Sequence, residues 1–131
     1  MGQLADAVRA AWDDRQHPSA LSTVDEDGTP NVIWVTCTTL LDDGSASGDA
    51  RIAIADNYFS KTLANLLRGS RGSLLIRTSD SKPYQMKGRF EYFTEGEVFD
   101  GMKAWNQPNR PGKGTAVLHV DEVYSGPARV C

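Results

Sequence analysis

The stretch from Ala20 to Leu41 limits the fold most. Ala20-Leu21-Ser22-Thr23-Val24 reads as a short strand, and Asp25-Glu26-Asp27-Gly28-Thr29-Pro30 follows as a tight turn. Gly suits a positive φ there and Pro closes the loop. Asn31 to Leu41 then reads as one long strand, rich in the β-branched residues Val32, Ile33, Val35, Thr36, Thr38 and Thr39. Strands joined by so short a turn must run antiparallel, because a parallel pair needs a crossover of roughly a dozen residues or more.

The rest of the chain repeats that grammar. Further strands are expected at Arg51–Ala55, Ser73–Thr78, Pro83–Phe93 and Thr115–Tyr124. In Pro83–Phe93, the residues Tyr84, Met86, Gly88, Phe90 and Tyr92 alternate with polar neighbours, the period of a half-buried strand. A helix is expected over residues 2–15, with Leu4, Ala7, Val8, Ala11 and Trp12 on one face and His17-Pro18 ending it. A second runs from Ser60, a suitable N-cap, to Arg68, with Leu63, Leu66 and Leu67 as its apolar face. A third spans Glu95–Trp105, before a Pro/Gly-rich loop over Asn106–Gly114. Six strands in hairpin order with three short helices predict a mainly β chain, folded as a six-stranded antiparallel barrel. With 131 residues and no repeat or linker, residues 1–131 read as a single domain.

Charge and composition remove several functions. The net charge is -3 and no basic run occurs, so the electrostatic footprint of nucleic-acid binding is missing. No stretch reaches the roughly 18–20 apolar residues that span a bilayer. The first residues lack the basic and apolar regions of a signal peptide, so a cytoplasmic location is expected. Cys37 and Cys131 match no metal spacing and read as reduced thiols. His17 and His119 have no partner at a ligand spacing, so no metal is expected. The acids Asp25, Glu26, Asp27, Asp42 and Asp43 fall in turns and read as solvated.

Chemistry concentrates at Ser60-Lys61-Thr62. A strand ends, a polar loop follows, and a helix begins with hydroxyl, ammonium and hydroxyl. The first backbone N–H groups of a helix lack internal partners and favour anions. Taken alone, the tripeptide equally describes an ordinary N-cap followed by a solvated lysine. The segment is neither a P-loop nor a dinucleotide fingerprint.

The flanking order decides the reading. The run from Ile54 through Asp56-Asn57-Tyr58-Phe59-Ser60-Lys61-Thr62 to Leu66 resembles the flavin phosphate segment of the pyridoxamine 5′-phosphate oxidase-like FMN-binding split-barrel superfamily. The hairpin at Asp25–Pro30 resembles the one preceding that superfamily's flavin-facing strand. The run Tyr84–Tyr92 is similar to its long strand with an internal Gly. The resemblance covers roughly residues 17–124. It implies a split barrel, a homodimer and one FMN at each of two subunit interfaces. It implies further that Ser60, Lys61 and Thr62 contact the phosphate, and that Ala55 and Asp56 line the strand end near the flavin. Ile33, Trp34, Val35 and Thr36 belong to the strand beside the ring system, and Gln85 approaches from the fifth strand. Ile33 and Thr62 stand where the oxidase itself has basic residues. The oxidase's substrate segment, with its Arg and His, has no counterpart near Gly126–Cys131. The resemblance is thus closer to the small FMN-binding proteins than to the oxidase. It implies an FMN-dependent oxidoreductase or electron-transfer protein, with no catalytic residue assigned. The alternatives are a non-catalytic module for haem, a deazaflavin or another phosphorylated cofactor, and a structural dimer without ligand. Cys37 reads as structural, and Trp105 either covers the flavin or packs its own helix down.

Overall fold

The computed structural model describes residues 2–131. Among them, three helices, α1 (Gly2–Trp12), α2 (Lys61–Leu67) and α3 (Glu97–Trp105), accompany one antiparallel sheet. Its strands are β1 (Ser19–Val24), β2 (Pro30–Val35), β3 (Thr38–Asp42), β4 (Ala50–Asp56), β5 (Arg71–Arg77), β6 (Pro83–Phe93), β7 (Gly114–Ser125) and β8 (Ala128–Arg129). The expected six strands are therefore eight. The predicted strand Asn31–Leu41 is two strands separated by Thr36 and Cys37, and β8 is a short return of the chain onto β7.

That break gives the barrel its form. The strand order is β2-β1-β5-β6-β7-β4-β3, so β2 and β3 lie at opposite ends of the path although they adjoin in sequence. The chain leaves one edge of the sheet at Val35 and joins the other at Thr38. The two edges are joined through Thr36-Cys37, and Ala55 N, donating to Cys37 O at 2.9 Å, carries the β3–β4 pairing into this corner. β2 and β3 pair with one neighbour each, so the barrel stays split between them.

Alternation fills the interior. Leu21, Ile52, Ile54, Leu74, Met86, Leu118 and Val123 are fully buried and form one cluster. From α1, Val8, Ala11 and Trp12 plug one end of it. β4 is buried on both faces: Ile52 and Ile54 point into the barrel, while Ala53 and Ala55 point outward. The small outward residues let α3 lie close, and Cys37, Ala55 and Met102 form a second cluster with Phe99 and Trp105 against it. Trp105 thus packs its helix down. At Gly88 the two longest strands approach so closely that a Cβ would fall 1.8 Å from His119 O, so only glycine fits. The sheet bulges there, between Lys87 and Gly88.

The turn acids are more than solvated. Asp25 Oδ1 accepts the Thr29 and Asp27 N–H groups at 2.9 and 3.2 Å. Asp42 Oδ1 accepts Gly44 N, and Asp43 Oδ1 accepts Ser45 N, each at 2.8 Å. Such side-chain bonds replace ladder bonds that a reversing backbone cannot make. Among the described residues no helix is long and apolar enough to cross a membrane.

Candidate functional site

The corner at Thr36-Cys37 between the two edge strands is also where the surface opens. A cleft of about 210 Å³ is lined on one side by Ile33, Trp34, Val35, Thr36 and Cys37, the end of β2 and the break after it. Ala55 forms its floor, and the loop residues Asn57, Tyr58 and Phe59 form the opposite wall with Arg110. Trp34 and Tyr58 are 72% and 66% exposed and present bare aromatic surface at the rim. Large aromatics in the open are unusual in a chain whose other hydrophobics have a core to enter, and they suit a planar partner.

The predicted site residues divide into groups. Ile33, Trp34, Val35, Thr36 and Ala55 are brought together in the cleft. Ser60, Lys61 and Thr62 follow its loop wall directly but do not line it. Ser60 takes the N-cap position of α2, yet its side chain makes no capping bond. Lys61 is exposed, with Nζ 3.4 Å from Asp25 Oδ2. Thr62 is buried, and its hydroxyl accepts Asn31 Nδ2 at 3.0 Å. Gln85 stands apart: the register Trp34–Ala20–Leu75–Gln85 places it three strands from Trp34 on the same sheet face. At about 4.8 Å per strand this is roughly 14 Å.

Asp56 turns inward. Its side chain is fully buried, and Oδ1 accepts Phe59 N at 2.8 Å. Tyr92 Oη donates to Oδ2, and Lys113 Nζ lies 4.0 Å from Oδ1. Burial, and then donation to Asp56, raise the Tyr92 phenol above its ordinary pKa, so it stays a donor. A Cβ on Gly114 would sit 2.2 Å from Tyr92 Oη, so glycine leaves the room this contact needs. Asp56 is thus the pin that bends the chain from β4 into the cleft wall. A second tie holds the wall to the loop after α3. Asn57 Nδ2 donates to Asn106 Oδ1 at 3.0 Å, and Asn106 Nδ2 donates back to Asn57 Oδ1 at 2.8 Å.

The Asp25–Lys61 pair fixes the charge pattern beside α2. The Asp25 carboxyl is held down to about 2, first by its side-chain contact with Asp27, then by the N–H groups of Thr29 and Asp27 and by Lys61. It therefore remains a counter-charge for Lys61 through the whole neutral range.

The family model described as pyridoxamine 5′-phosphate oxidase matches residues 4–125. The chain belongs to that family. An uncharacterised protein of Methanocaldococcus jannaschii is 33% identical over 113 residues, covering 82% of this chain and 73% of that one. Among solved structures, HupZ of Group A Streptococcus superposes with a TM-score of 0.73 at 20% identity, covering 99% of this chain and 96% of that one. An FMN-binding protein of Syntrophomonas wolfei gives 0.70 at 22% identity, covering 94% and 83%. These two likenesses show the split-barrel fold of the pyridoxamine 5′-phosphate oxidase family.

Sequence reasoning missed Asn57, Tyr58, Phe59 and Arg110 as cleft residues. The first three carried a signal, since they sit between a predicted strand end and a predicted anion-binding turn. Arg110 carried none, because it arrives from a distant loop.

Proposed function

We propose that this family member binds FMN in the cleft, at the interface of a homodimer, and works as an oxidoreductase or electron-transfer protein. The observation that carries this is that Ile33–Cys37, Ala55 and Asn57–Phe59 line one cleft, with Ser60-Lys61-Thr62 next in the chain. A planar ring system has apolar and aromatic surface to lie on, and a phosphate has an exposed cation and the start of a helix beside it.

The flavin supplies the redox chemistry. The protein's residues supply position. Asp56 and Tyr92 set the bend of the wall, and Trp34 and Tyr58 bound the ring site. Lys61 offers its ammonium to the phosphate in exchange for part of its contact with Asp25. Dimerisation has its own support: Val32 and Trp34 of β2 and Leu75 of β5, at 67%, 72% and 45% exposed, lie on the same sheet face on either side of β1. Beside them an apolar hollow of about 280 Å³ runs from Trp34 to Pro83. A second copy seated there covers this face and closes the cleft.

A titration of the purified protein with FMN and riboflavin, read by flavin fluorescence quenching, tests the reading. FMN binds more tightly than riboflavin in the wild type, and Lys61→Ala weakens FMN alone. A charge-assisted bond is worth about 1.5–3 kcal/mol, but Lys61 is exposed and shared with Asp25, so about a tenfold loss is expected. Failure of both flavins to bind, with uptake of haem instead, refutes the flavin reading in favour of a haem module. Uptake of a deazaflavin alone would keep the site and change its cofactor.

A further inference from the structure

One face of α2 is held by the hairpin that β1 and β2 form. Lys61, Asn65 and Arg68 follow one another at about one helical turn and share that face. Lys61 Nζ lies 3.4 Å from Asp25 Oδ2. Asn65 Nδ2 donates to Thr23 Oγ1 at 3.0 Å, and Arg68 Nη2 donates to Val24 O at 2.6 Å. The hairpin thus keeps Lys61 on its own side of the helix, and the lysine adjoins the cleft wall without lining it.

The two members of the Asp25–Lys61 pair are unequally free. The Asp25 side chain is 16% exposed and that of Lys61 57%. Asp25 is fixed by its turn: besides the amides bonded to Oδ1, its own N–H donates to Thr29 O at 3.0 Å, and Gly28 N donates to its carbonyl at 3.1 Å. Lys61 has a flexible four-carbon stem. The ammonium is able to leave and the carboxylate is not. Asp25, Glu26 and Asp27 stand together in the turn, and among the described residues Lys61 is the one base within ion-pair distance of them. Arg68 is engaged by Val24 O and Asn65 Oδ1, and Lys113 lies against Phe59 O and Asp56. An anion arriving at Lys61 therefore meets a cation already paired with a carboxylate that stays charged throughout the neutral range. It either pulls the ammonium off Asp25 or shares it and feels the carboxylate's repulsion, and both lower its affinity.

We propose that Asp25 is a built-in competitor for Lys61: it holds the ammonium while the cleft is empty, weakens the grip on the flavin phosphate, and keeps FMN exchangeable. This role rests on the flavin reading for the owner of the phosphate. The competition for Lys61 follows from the pair itself.

Asp25→Asn isolates the effect. Its amide oxygen still accepts the Thr29 and Asp27 N–H groups, while an amide nitrogen replaces the oxygen that faces Lys61. FMN and riboflavin are titrated by fluorescence quenching into wild type, Asp25→Asn, Lys61→Ala and the double variant, and FMN release is timed by stopped flow. An exposed pair is worth a few-fold in affinity, so Asp25→Asn binds FMN about three- to fivefold more tightly and releases it more slowly, with riboflavin unchanged. In the Lys61→Ala background the same substitution changes FMN affinity by about twofold or less. Weaker FMN binding in Asp25→Asn overturns the proposal and makes Asp25 a positioning group for Lys61. Unchanged FMN affinity, an equal gain for riboflavin, or an equal gain without Lys61 also overturns it. If neither flavin binds any of the four forms, the flavin reading fails, and inorganic phosphate followed by its phosphorus NMR line width decides the role of Asp25. Broadening that is greater in Asp25→Asn than in wild type and lost in the double variant upholds the competition. Equal line widths in all four forms overturn it.

Discussion

Replacing Tyr92 by Phe removes one hydroxyl and tests the pin that shapes the cleft wall. Tyr92 Oη is the hydrogen-bond donor to Asp56 Oδ2, and Asp56 is fully buried. Oδ1 keeps the Phe59 amide at 2.8 Å, but Lys113 Nζ is 4.0 Å away and half exposed, too far to replace the lost bond. Leaving one oxygen of a buried carboxylate without a donor costs about 1.5–3 kcal/mol. At a urea slope of about 2 kcal/mol per molar, the midpoint falls by roughly 0.8–1.5 M with the slope unchanged. Urea unfolding followed by far-UV circular dichroism measures this directly. FMN affinity falls in parallel, because Ala55 and Asn57–Phe59 flank the pinned residue. A midpoint shift below about 0.3 M, within the usual spread of surface substitutions, refutes the assignment of Tyr92 and Asp56 as a structural pair. A full stability loss with flavin affinity unchanged refutes its link to the cleft.

Gly88→Ala puts a Cβ 1.8 Å from His119 O, where neither backbone can yield, so little folded protein or a melting temperature lower by well over about 10 °C is expected. Asp25 and Asp43 are both held down to about 2, Asp43 first by the Ser45 hydroxyl and amide and then by Arg9. Their unfolded value is about 3.9, so their contribution is present above pH 4 and is lost as the pH falls towards 2. Urea midpoints at pH 6, 4 and 2.5 check this, and Asp43→Asn flattens the drop. Trp34→Arg places a charge in the exposed apolar face and shifts the protein from dimer to monomer in sedimentation velocity, and an unchanged sedimentation coefficient counts against that face as the interface.

Much of the cleft was readable because it is built from chain neighbours. Ile33, Trp34, Val35 and Thr36 share one strand, and Ala55 ends another just before the Ser60-Lys61-Thr62 turn. Other features were hidden because their causes are distant in sequence. The residues from Asn31 to Leu41 look uniformly β-forming, and nothing local marks Thr36-Cys37 as a break. The break exists because the two halves pair with different partners, β2 with β1 and β3 with β4. Asp56 read as a flavin-side residue, yet the Phe59 amide and the Tyr92 hydroxyl turn it inward. Lys61 read as a phosphate contact or a solvated lysine, yet the hairpin brings Asp25 beside it.

Local chemistry alone determined that this chain is an antiparallel β protein with three short helices, because turn residues and side-chain period act over a few neighbours. It also marked Ser60-Lys61-Thr62, where a hydroxyl, a lysine and a helix start are contiguous. Closure of the barrel, the inward pin at Asp56 and the arrival of Arg110 belong to the tertiary structure. Each depends on groups separated by tens of residues, and only the curled sheet brings them together.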